Sequence, residues 1–371
     1  MLTMLPSAPK SLGRLGDVLI SALNSTLGET NSLELSAKRS ICVILVDGLG
    51  AHNLRNAAAH AGFLNSIATE LAMCWFPATT ATSITSFATA SDPSSNGFLG
   101  YQVFNASNDS AMNLLSGWSS FEAGANYQKI ATIAEQAQTK AVQFHTIAPS
   151  AYERSGFTGA TMRGSAFHGV NSISDRFQKA KQLLKDSETK VVYLYIPELD
   201  QIAHAQGCSS TAWLNELELV DSQIRELSTA ISKSAGIIVT ADHGVVDINE
   251  ANHIYLDEFI SGDEFNFVGG DTRALYLYFK NDDVSEFRKL LEEKVGDSCY
   301  IVTTAELIAA GYFKPLSAAS AKVAPDLFVL ARKQVALYHR SFAKVKSLKM
   351  VGHHGSITHE ELAIPLIKIG F

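Results

Sequence analysis

The sequence predicts an α/β protein: a mainly parallel central sheet flanked by helices, with a small inserted α+β subdomain. Short β-branched apolar runs alternate with amphipathic segments along the chain, which is the pattern of a layered α/β domain. The run at 41–46 is unbroken, as expected for a strand that is covered on both faces. Apolar side chains at 209–234 are spaced by three and four residues, which predicts a long helix packed on the sheet.

Three of the predicted strands end next to acidic or imidazole side chains. They are 41–46 with Asp47, 191–196 with Asp200 and His204, and 237–240 with Asp242 and His243. Because the carboxyl ends of parallel strands meet at one edge of a sheet, we expect these side chains to converge. The motif VGHHGS adds His354, and the last segment, ELAIPLIKIG, predicts a closing strand.

The region of about 250–345 predicts the inserted subdomain. It contains RALYLYF, SEFRKLLEEKV, CYIVT and AELIAAGYF, which indicate a strand, a helix, a strand and a helix. No internal repeat or Pro/Ser-rich linker interrupts the chain. We therefore expect one catalytic domain over residues 1–371, elaborated by this insertion, rather than two independent domains.

Composition limits the function classes. With 371 residues, of which 46% are hydrophobic and 18% charged, the chain can bury a large core. A net charge of -7 argues against a surface that tracks polyanions, so we expect no binding of nucleic-acid polymers. We expect no membrane association, because no segment approaches the roughly 20 apolar residues of a membrane span. The N-terminus lacks the apolar region of a secretory signal, and four scattered cysteines suggest free thiols, so we expect a cytoplasmic protein. The sequence leaves the oligomeric state open.

The acidic and imidazole residues suggest a metal site when they are taken together. Alone, Asp47 could be a turn residue, the Asp200–His204 pair a surface feature, and the two histidines of VGHHGS a solvated loop. In combination, three aspartates and three histidines provide six ligands, enough for two divalent ions that keep open positions for substrate. An Asp/His set without cysteine suits zinc, with manganese as the alternative.

The segment FPATTATSITSF at 76–87 is crowded with hydroxyl groups, one of which is a candidate nucleophile. An alcohol becomes a good nucleophile when a metal lowers its pKa, as zinc lowers that of water from about 16 to about 7. The alternative is that these hydroxyls only cap and line a helix. The residues that remain open at this point are Thr79, Thr80, Thr82 and Ser83.

The motifs VDGLG, FPATTATSITSFAT, YIPELDQIAH, TADHG and HHGS, in this order, resemble the alkaline phosphatase superfamily. Within it they are most similar to the nucleotide pyrophosphatase/phosphodiesterase (type I phosphodiesterase) family, from about residue 40 to the C-terminus. The resemblance implies an alkaline phosphatase-like fold and favours Thr80 over Thr79 as nucleophile. It places Asp47, Asp242, His243 and the Thr80 oxygen at one metal, and Asp200, His204 and His354 at the other. His354 is preferred to His353 because the family's ligand directly precedes glycine.

The resemblance implies a two-metal hydrolase that cleaves phosphodiester or nucleotide pyrophosphate bonds of small molecules through a covalent phospho-threonine. Alternatives in the superfamily are a phosphomonoesterase, a phosphonoacetate-type hydrolase and a phosphomutase. An alternative of another functional class is a non-catalytic family member that binds metal or nucleotide. No arginine lies within residues 56–153, which favours a diester because a monoester brings one more negative charge. Ser83 stands where related phosphodiesterases place an asparagine that contacts a phosphoryl oxygen.

Overall fold

A computed structural model describes residues 5–9, 13–185, 187–281 and 283–371. Within them the strands are, in chain order, β1 (Ser40–Val46), β2 (Thr69–Met73), β3 (Gln102–Asn105), β4 (Ser110–Asn113), β5 (Gln143–Ala148), β6 (Ala166–Gly169), β7 (Lys190–Ile196), β8 (Ala235–Thr240), β9 (Val246–Asp247), β10 (His253–Tyr255), β11 (Phe265–Asp271), β12 (Ala274–Phe279), β13 (Cys299–Val302), β14 (Leu327–Ala331), β15 (Ala336–Tyr338), β16 (Gly352–His353) and β17 (Ala363–Ile369).

The α-helices of the described residues are, in chain order, α1 (Gly16–Thr26), α2 (Ala51–Asn56), α3 (Gly62–Ser66), α4 (Thr80–Thr89), α5 (Pro93–Asn96), α6 (Phe121–Tyr127), α7 (Ile133–Thr139), α8 (Gly156–Thr161), α9 (Ile173–Lys185), α10 (Glu198–Gln206), α11 (Thr211–Ala230), α12 (Ser285–Val295), α13 (Thr304–Ala309), α14 (Ala318–Ala321) and α15 (His359–Leu362). None of these helices is both long and apolar enough to cross a bilayer.

The central sheet has seven strands in the order β2-β17-β8-β1-β7-β5-β6. Only β17 runs antiparallel to its neighbours β8 and β2, so the predicted mainly parallel sheet is confirmed. Every residue of β1 is buried, in agreement with its unbroken apolar run and its central place. Val46 pairs with Ile196 and Leu45 with Thr240, so three strands end together at one edge.

The predicted long helix is α11. It begins after Ser210, whose side chain accepts a hydrogen bond from the Trp213 amide and caps the helix. The side chains spaced by three and four form its buried face, namely Trp213, Leu217, Val220, Ile224 and Leu227. They belong to the large apolar core around the central sheet, which confirms the packing expected from the periodicity.

A second sheet has six antiparallel strands in the order β13-β14-β12-β11-β3-β4. The predicted strand, helix, strand and helix correspond to β12, α12, β13 and α13. The hairpin β3–β4 comes from much earlier in the chain and joins this sheet where Gln102 pairs with Gly270. A separate apolar cluster that includes Leu277, Leu291 and Val329 packs on the second sheet. The division into one catalytic domain with an insertion at about 250–345 stays a prediction.

Candidate active site

Three buried aspartates lie at the edge where the central strands end. Asp47 directly follows β1, Asp242 follows β8, and Asp200 lies in the first turn of α10 after β7. Their relative exposures are 3%, 0% and 8%. The loops after β1 and β8 touch: a Cβ on Gly50 would lie 2.4 Å from the Gly244 Cα. Glycine in both the VDGLG and DHG motifs therefore permits this convergence.

One group of candidate ligands consists of Asp47, Asp242 and His243, whose ligand atoms all lie within 4.8 Å of one another. His243 Nε2 is 3.5 Å from Asp47 Oδ1 and 3.4 Å from Asp242 Oδ2. Thr80 Oγ1 lies 3.2 Å from the same nitrogen. The structure thus brings together the four residues that the resemblance assigned to one metal.

Asp200, His204 and His354 form a second, adjoining group. Asp200 and His204 are one helical turn apart, with 3.2 Å between Oδ2 and Nε2. His354 Nε2 lies 3.3 Å from His204 Nε2 and 3.8 Å from Asp200 Oδ1. The rings of His243 and His354 stack with centroids 3.8 Å apart, so the two groups share a boundary. The ligand atoms of Asp200, His243 and His354 also lie within 4.8 Å of one another.

Backbone carbonyls orient the three histidines. Because a carbonyl oxygen only accepts hydrogen bonds, each Nδ1 must carry a hydrogen, so the Nε2 atom that faces the carboxylates is the nitrogen available to bind a metal. The pairs are His204 with Gly352 (2.8 Å), His354 with Ala78 (2.8 Å) and His243 with Gly244 (3.3 Å). This is the arrangement in which imidazole binds a metal.

Three buried carboxylate oxygens have no hydrogen-bond partner among the described residues, namely Asp47 Oδ1, Asp200 Oδ1 and Asp242 Oδ2. Leaving buried carboxylate oxygens unsatisfied costs free energy unless a cation compensates them. The oxygens face the imidazole nitrogens described above, and an Asp/His donor set suits zinc or a similar divalent ion. The residues present therefore fit a metal site.

The electrostatics of the group favour a bound cation. Burial, reinforced by Asp242 and Asp200, raises the pKa of Asp47 well above its usual value, and burial raises that of Asp242 to about 6. Burial also lowers the pKa of His243 to about 4. For Asp200, burial would raise the pKa, but the neighbouring His204 outweighs it and lowers the value. For His204, burial would lower the pKa, yet Asp200 raises it to about 9.

The hydroxyls of the 76–87 segment differ in what they contact. Thr80 is the first residue of α4 and lines the cavity above the site. Thr79 is the N-cap of α4, where its Oγ1 accepts from the Thr82 amide. Thr82 donates its own hydroxyl to the Phe98 carbonyl at 2.8 Å. Ser83 is fully buried and lies outside the cavity wall. Among the four hydroxyls, that of Thr80 is the one beside the candidate metal ligands.

The two adjacent histidines also point to different partners. His354 faces the carboxylates, whereas both ring nitrogens of His353 form hydrogen bonds to residues outside the candidate metal site. Its Nδ1 accepts from the Thr272 hydroxyl at 2.8 Å and its Nε2 donates to the Met350 carbonyl at 3.1 Å. His353 is buried rather than solvated.

A cavity of about 580 Å³ opens over the site. Its floor includes Thr80, Asp200, His204 and His354. The second sheet and the segment 340–350 supply further walls, including Tyr101, Gln102, Asp271, Lys344, Lys346 and Lys349. Arg163 and Arg273 lie outside the cavity lining and have structural partners: Arg163 pairs with Glu135, and Arg273 with Glu361.

Sequence reasoning missed two site residues. The Tyr195 hydroxyl donates to Asp47 Oδ2 in a short contact. The sequence indicates that Tyr195 lies near the end of a predicted strand, but it does not show which residue the hydroxyl contacts. Asp271 ends β11 after two glycines and lines the cavity. This is the same strand-end carboxylate signal that identified Asp47, so the motif FVGGD could have been found.

Comparison with solved structures identifies the fold. Human ectonucleotide pyrophosphatase/phosphodiesterase 5 matches with a TM-score of 0.69 at 13% identity, covering 89% of this chain and 87% of that one. An inactive variant of murine ectonucleotide pyrophosphatase/phosphodiesterase 5 in complex with AMP matches with a TM-score of 0.67 at 14% identity, covering 88% of this chain and 87% of that one. Phosphonoacetate hydrolase from Sinorhizobium meliloti 1021 in complex with phosphonoformate matches with a TM-score of 0.67 at 18% identity, covering 89% of this chain and 90% of that one. The fold is therefore alkaline phosphatase-like.

A search of curated proteins found no match. The family model for type I phosphodiesterase / nucleotide pyrophosphatase matches residues 41–357, a span that holds all five motifs. This match and the related folds indicate a hydrolase that acts on phosphoesters. The chain belongs to the type I phosphodiesterase/nucleotide pyrophosphatase family, as the order of its motifs predicted.

Proposed function

We propose that the protein hydrolyses phosphodiester or nucleotide pyrophosphate bonds of small molecules, with two divalent metal ions and Thr80 as covalent nucleophile. Zinc suits the donor set best, and manganese is the alternative. The observation that carries the proposal is the position of Thr80 Oγ1, 3.2 Å from His243 Nε2 beside two adjoining Asp/His groups. A hydroxyl at that point lies within reach of a group bound over the ligands.

The six candidate ligands and Thr80 form two proposed sets. Asp47, Asp242, His243 and the Thr80 oxygen would hold one ion; Asp200, His204 and His354 would hold the other. When bound, such ions would lower the pKa of a coordinated hydroxyl and would provide positive charge near the phosphoryl oxygens. Tyr195 orients Asp47 through its hydroxyl, and the carbonyls of Gly352, Ala78 and Gly244 orient the imidazoles.

Thr80 takes part in the reaction in two steps. Its Oγ1 forms a bond to phosphorus while the bond from phosphorus to the leaving oxygen breaks, which leaves the phosphoryl group on Thr80. Water then attacks phosphorus, the bond between phosphorus and Thr80 Oγ1 breaks, and a proton from the water restores the Thr80 hydroxyl. Because Thr80 begins α4, the N–H groups of the first helical turn favour negative charge near it.

The cavity supports a small anionic diester as substrate. Its volume of about 580 Å³ lies in the range of roughly 300–1,000 Å³ that is typical of small-molecule sites. Lys344, Lys346 and Lys349 line it and supply positive charge for an anionic substrate, and the described lining residues include no arginine. AMP bound to the murine relative supports a nucleotide.

A second candidate is hydrolysis of a phosphonocarboxylate. It is favoured by the likeness to phosphonoacetate hydrolase, whose match covers 89% of this chain. The three lysines of the cavity could accept a carboxylate as well as a phosphate.

The test compares bis(p-nitrophenyl) phosphate, p-nitrophenyl phosphate and phosphonoacetate as substrates of the zinc-loaded protein and of Thr80→Ala. We expect preferential hydrolysis of the diester by the wild type and its loss in Thr80→Ala. Preference for the monoester would make the protein a phosphatase, and preference for phosphonoacetate would favour the second candidate. Metal binding without turnover of any of the three would contradict the proposal and favour a binding protein.

We also propose a cytoplasmic location. The four cysteines support it, since Cys42, Cys74, Cys208 and Cys299 are all free thiols. Fractionation of the native host's cells tests this, and recovery outside the cytoplasm would contradict it.

A further inference from the structure

The loop that carries His354 packs against the turn between β11 and β12 of the second sheet. The Thr272 hydroxyl donates to His353 Nδ1 at 2.8 Å. On the other side of His354, Gly355 has a φ of 127°, and a Cβ there would lie 3.1 Å from the Asp271 Cβ. The turn therefore contacts the residues on both sides of a candidate metal ligand.

Arg273, the next residue of the turn, forms a fully buried ion pair with Glu361. Arg273 Nη2 lies 2.8 Å from Glu361 Oε2 and its Nε lies 3.3 Å from Oε1, with side-chain exposures of 1% and 0%. The remaining guanidinium nitrogen donates to the carbonyls of Lys333 and Val335. A two-pronged pair of this kind fixes the position of both side chains.

Glu361 contacts the main chain behind two candidate metal ligands. Its carboxylate accepts from the Ser356 amide at 2.8 Å, two residues after His354, and from the Thr358 hydroxyl at 2.7 Å. Its carbonyl accepts from the amide of Gly244, the residue after His243, at 2.9 Å. One residue thus holds the backbone of both histidine-bearing loops.

We propose that Arg273 and Glu361 are positioning residues, which set the metal affinity of the site by fixing the backbone that follows His243 and His354. Neither residue lines the cavity, so they act through the histidines and not on substrate. The inference rests on the proposed function, because it takes the two histidines as metal ligands. The competing interpretation is that the buried pair only stabilises the fold.

The test uses Arg273→Lys and Glu361→Gln, which keep approximate side-chain size while disrupting the two-pronged pair. Arg163→Lys is the matched control: Arg163 also pairs with a glutamate, Glu135, and donates to backbone carbonyls, but it has no contact with the ligand loops. For each protein, zinc affinity is measured by competition with a chromophoric chelator. The visible absorption of the cobalt-loaded form and the thermal unfolding of the metal-free form are recorded as well.

We expect Arg273→Lys and Glu361→Gln to lose about 10- to 100-fold in zinc affinity, the usual cost of changing the partners behind metal ligands. Their cobalt spectra should differ from that of the wild type. Arg163→Lys should keep the wild-type affinity and spectrum even if its unfolding temperature falls. Wild-type zinc affinity in Glu361→Gln would overturn this inference alone, whereas a wild-type protein that binds no zinc would overturn the proposed function with it.

Discussion

At the scale of single residues, hydrogen bonds distinguish chemically identical neighbours. His353 and His354 are adjacent and both buried, yet His354 has its Nε2 facing Asp200 and His204, while His353 bonds Thr272 and Met350. Sequence could place both near the site because they precede a glycine. It could not assign the ligand from the residues alone, because the assignment depends on which groups the two ring nitrogens of each histidine meet.

Exchange of each histidine for glutamine tests this assignment. We expect His354→Gln to lower the zinc stoichiometry of the purified protein from two to one, because it removes a ligand that faces Asp200. His353→Gln should keep two ions per chain. Elemental analysis after exhaustive dialysis measures both, and a loss of metal in His353→Gln that exceeds the loss in His354→Gln would reverse the assignment.

The protonation of His204 predicts how metal affinity depends on pH. In the metal-free protein burial would lower its pKa, but Asp200 at 3.2 Å raises it to about 9. Only neutral imidazole binds metal, so below pH 9 binding must release this proton, and this proton alone should make the metal affinity rise by about tenfold per pH unit. From about pH 6, where Asp242 is half ionised, to about pH 9 we expect the metal affinity to rise continuously.

Chelator competition at a series of pH values measures this dependence. His204→Gln should bind more weakly and show a flatter profile, because it lacks the proton that binding displaces. Equal affinity at pH 6 and pH 9 in the wild type would contradict the expected coupling.

At the scale of elements, the site depends on loops that follow neighbouring strands and touch one another. Because β1 lies between β7 and β8 with their ends in register, Asp47, Asp200 and Asp242 arrive at one edge, as the strand-end pattern predicted. The contact of Gly50 with Gly244 was not predictable. The sequence shows glycines in both motifs, but not that their loops meet.

Gly50→Ala tests this contact, with Gly62→Ala as the matched control. A Cβ on Gly50 would lie 2.4 Å from the Gly244 Cα, whereas a Cβ on Gly62 meets nothing within 4 Å. We expect Gly50→Ala to lower the free energy of unfolding by about 1–3 kcal/mol and to weaken zinc binding, since the two loops must separate. Gly62→Ala should change stability by no more than about 1 kcal/mol. Denaturant unfolding of both variants measures the difference, and equal stabilities would show that the loops adapt without cost.

At the scale of the whole molecule, the cavity lies between the edge of the central sheet and the second sheet. Periodicity identified the central strands and α11, because these elements have one continuous apolar face or a fully apolar run. The hairpin β3–β4 was not predicted. Its strands are short and half-polar, and they join the second sheet by pairing with β11, more than 150 residues later in the chain. Local sequence carries no record of such long-range pairing, so the contact of this hairpin with β11 could not be predicted.

The central claim, that Thr80 carries the phosphoryl group during turnover, is tested most directly by trapping that intermediate. The zinc-loaded protein is mixed with bis(p-nitrophenyl) phosphate, quenched in acid within the first turnover and mapped by peptide mass spectrometry. We predict a p-nitrophenyl phosphoryl adduct on Thr80, which is absent in Thr80→Ala and present in Thr79→Ala. An adduct on another residue, or full diester turnover by Thr80→Ala, would contradict the account.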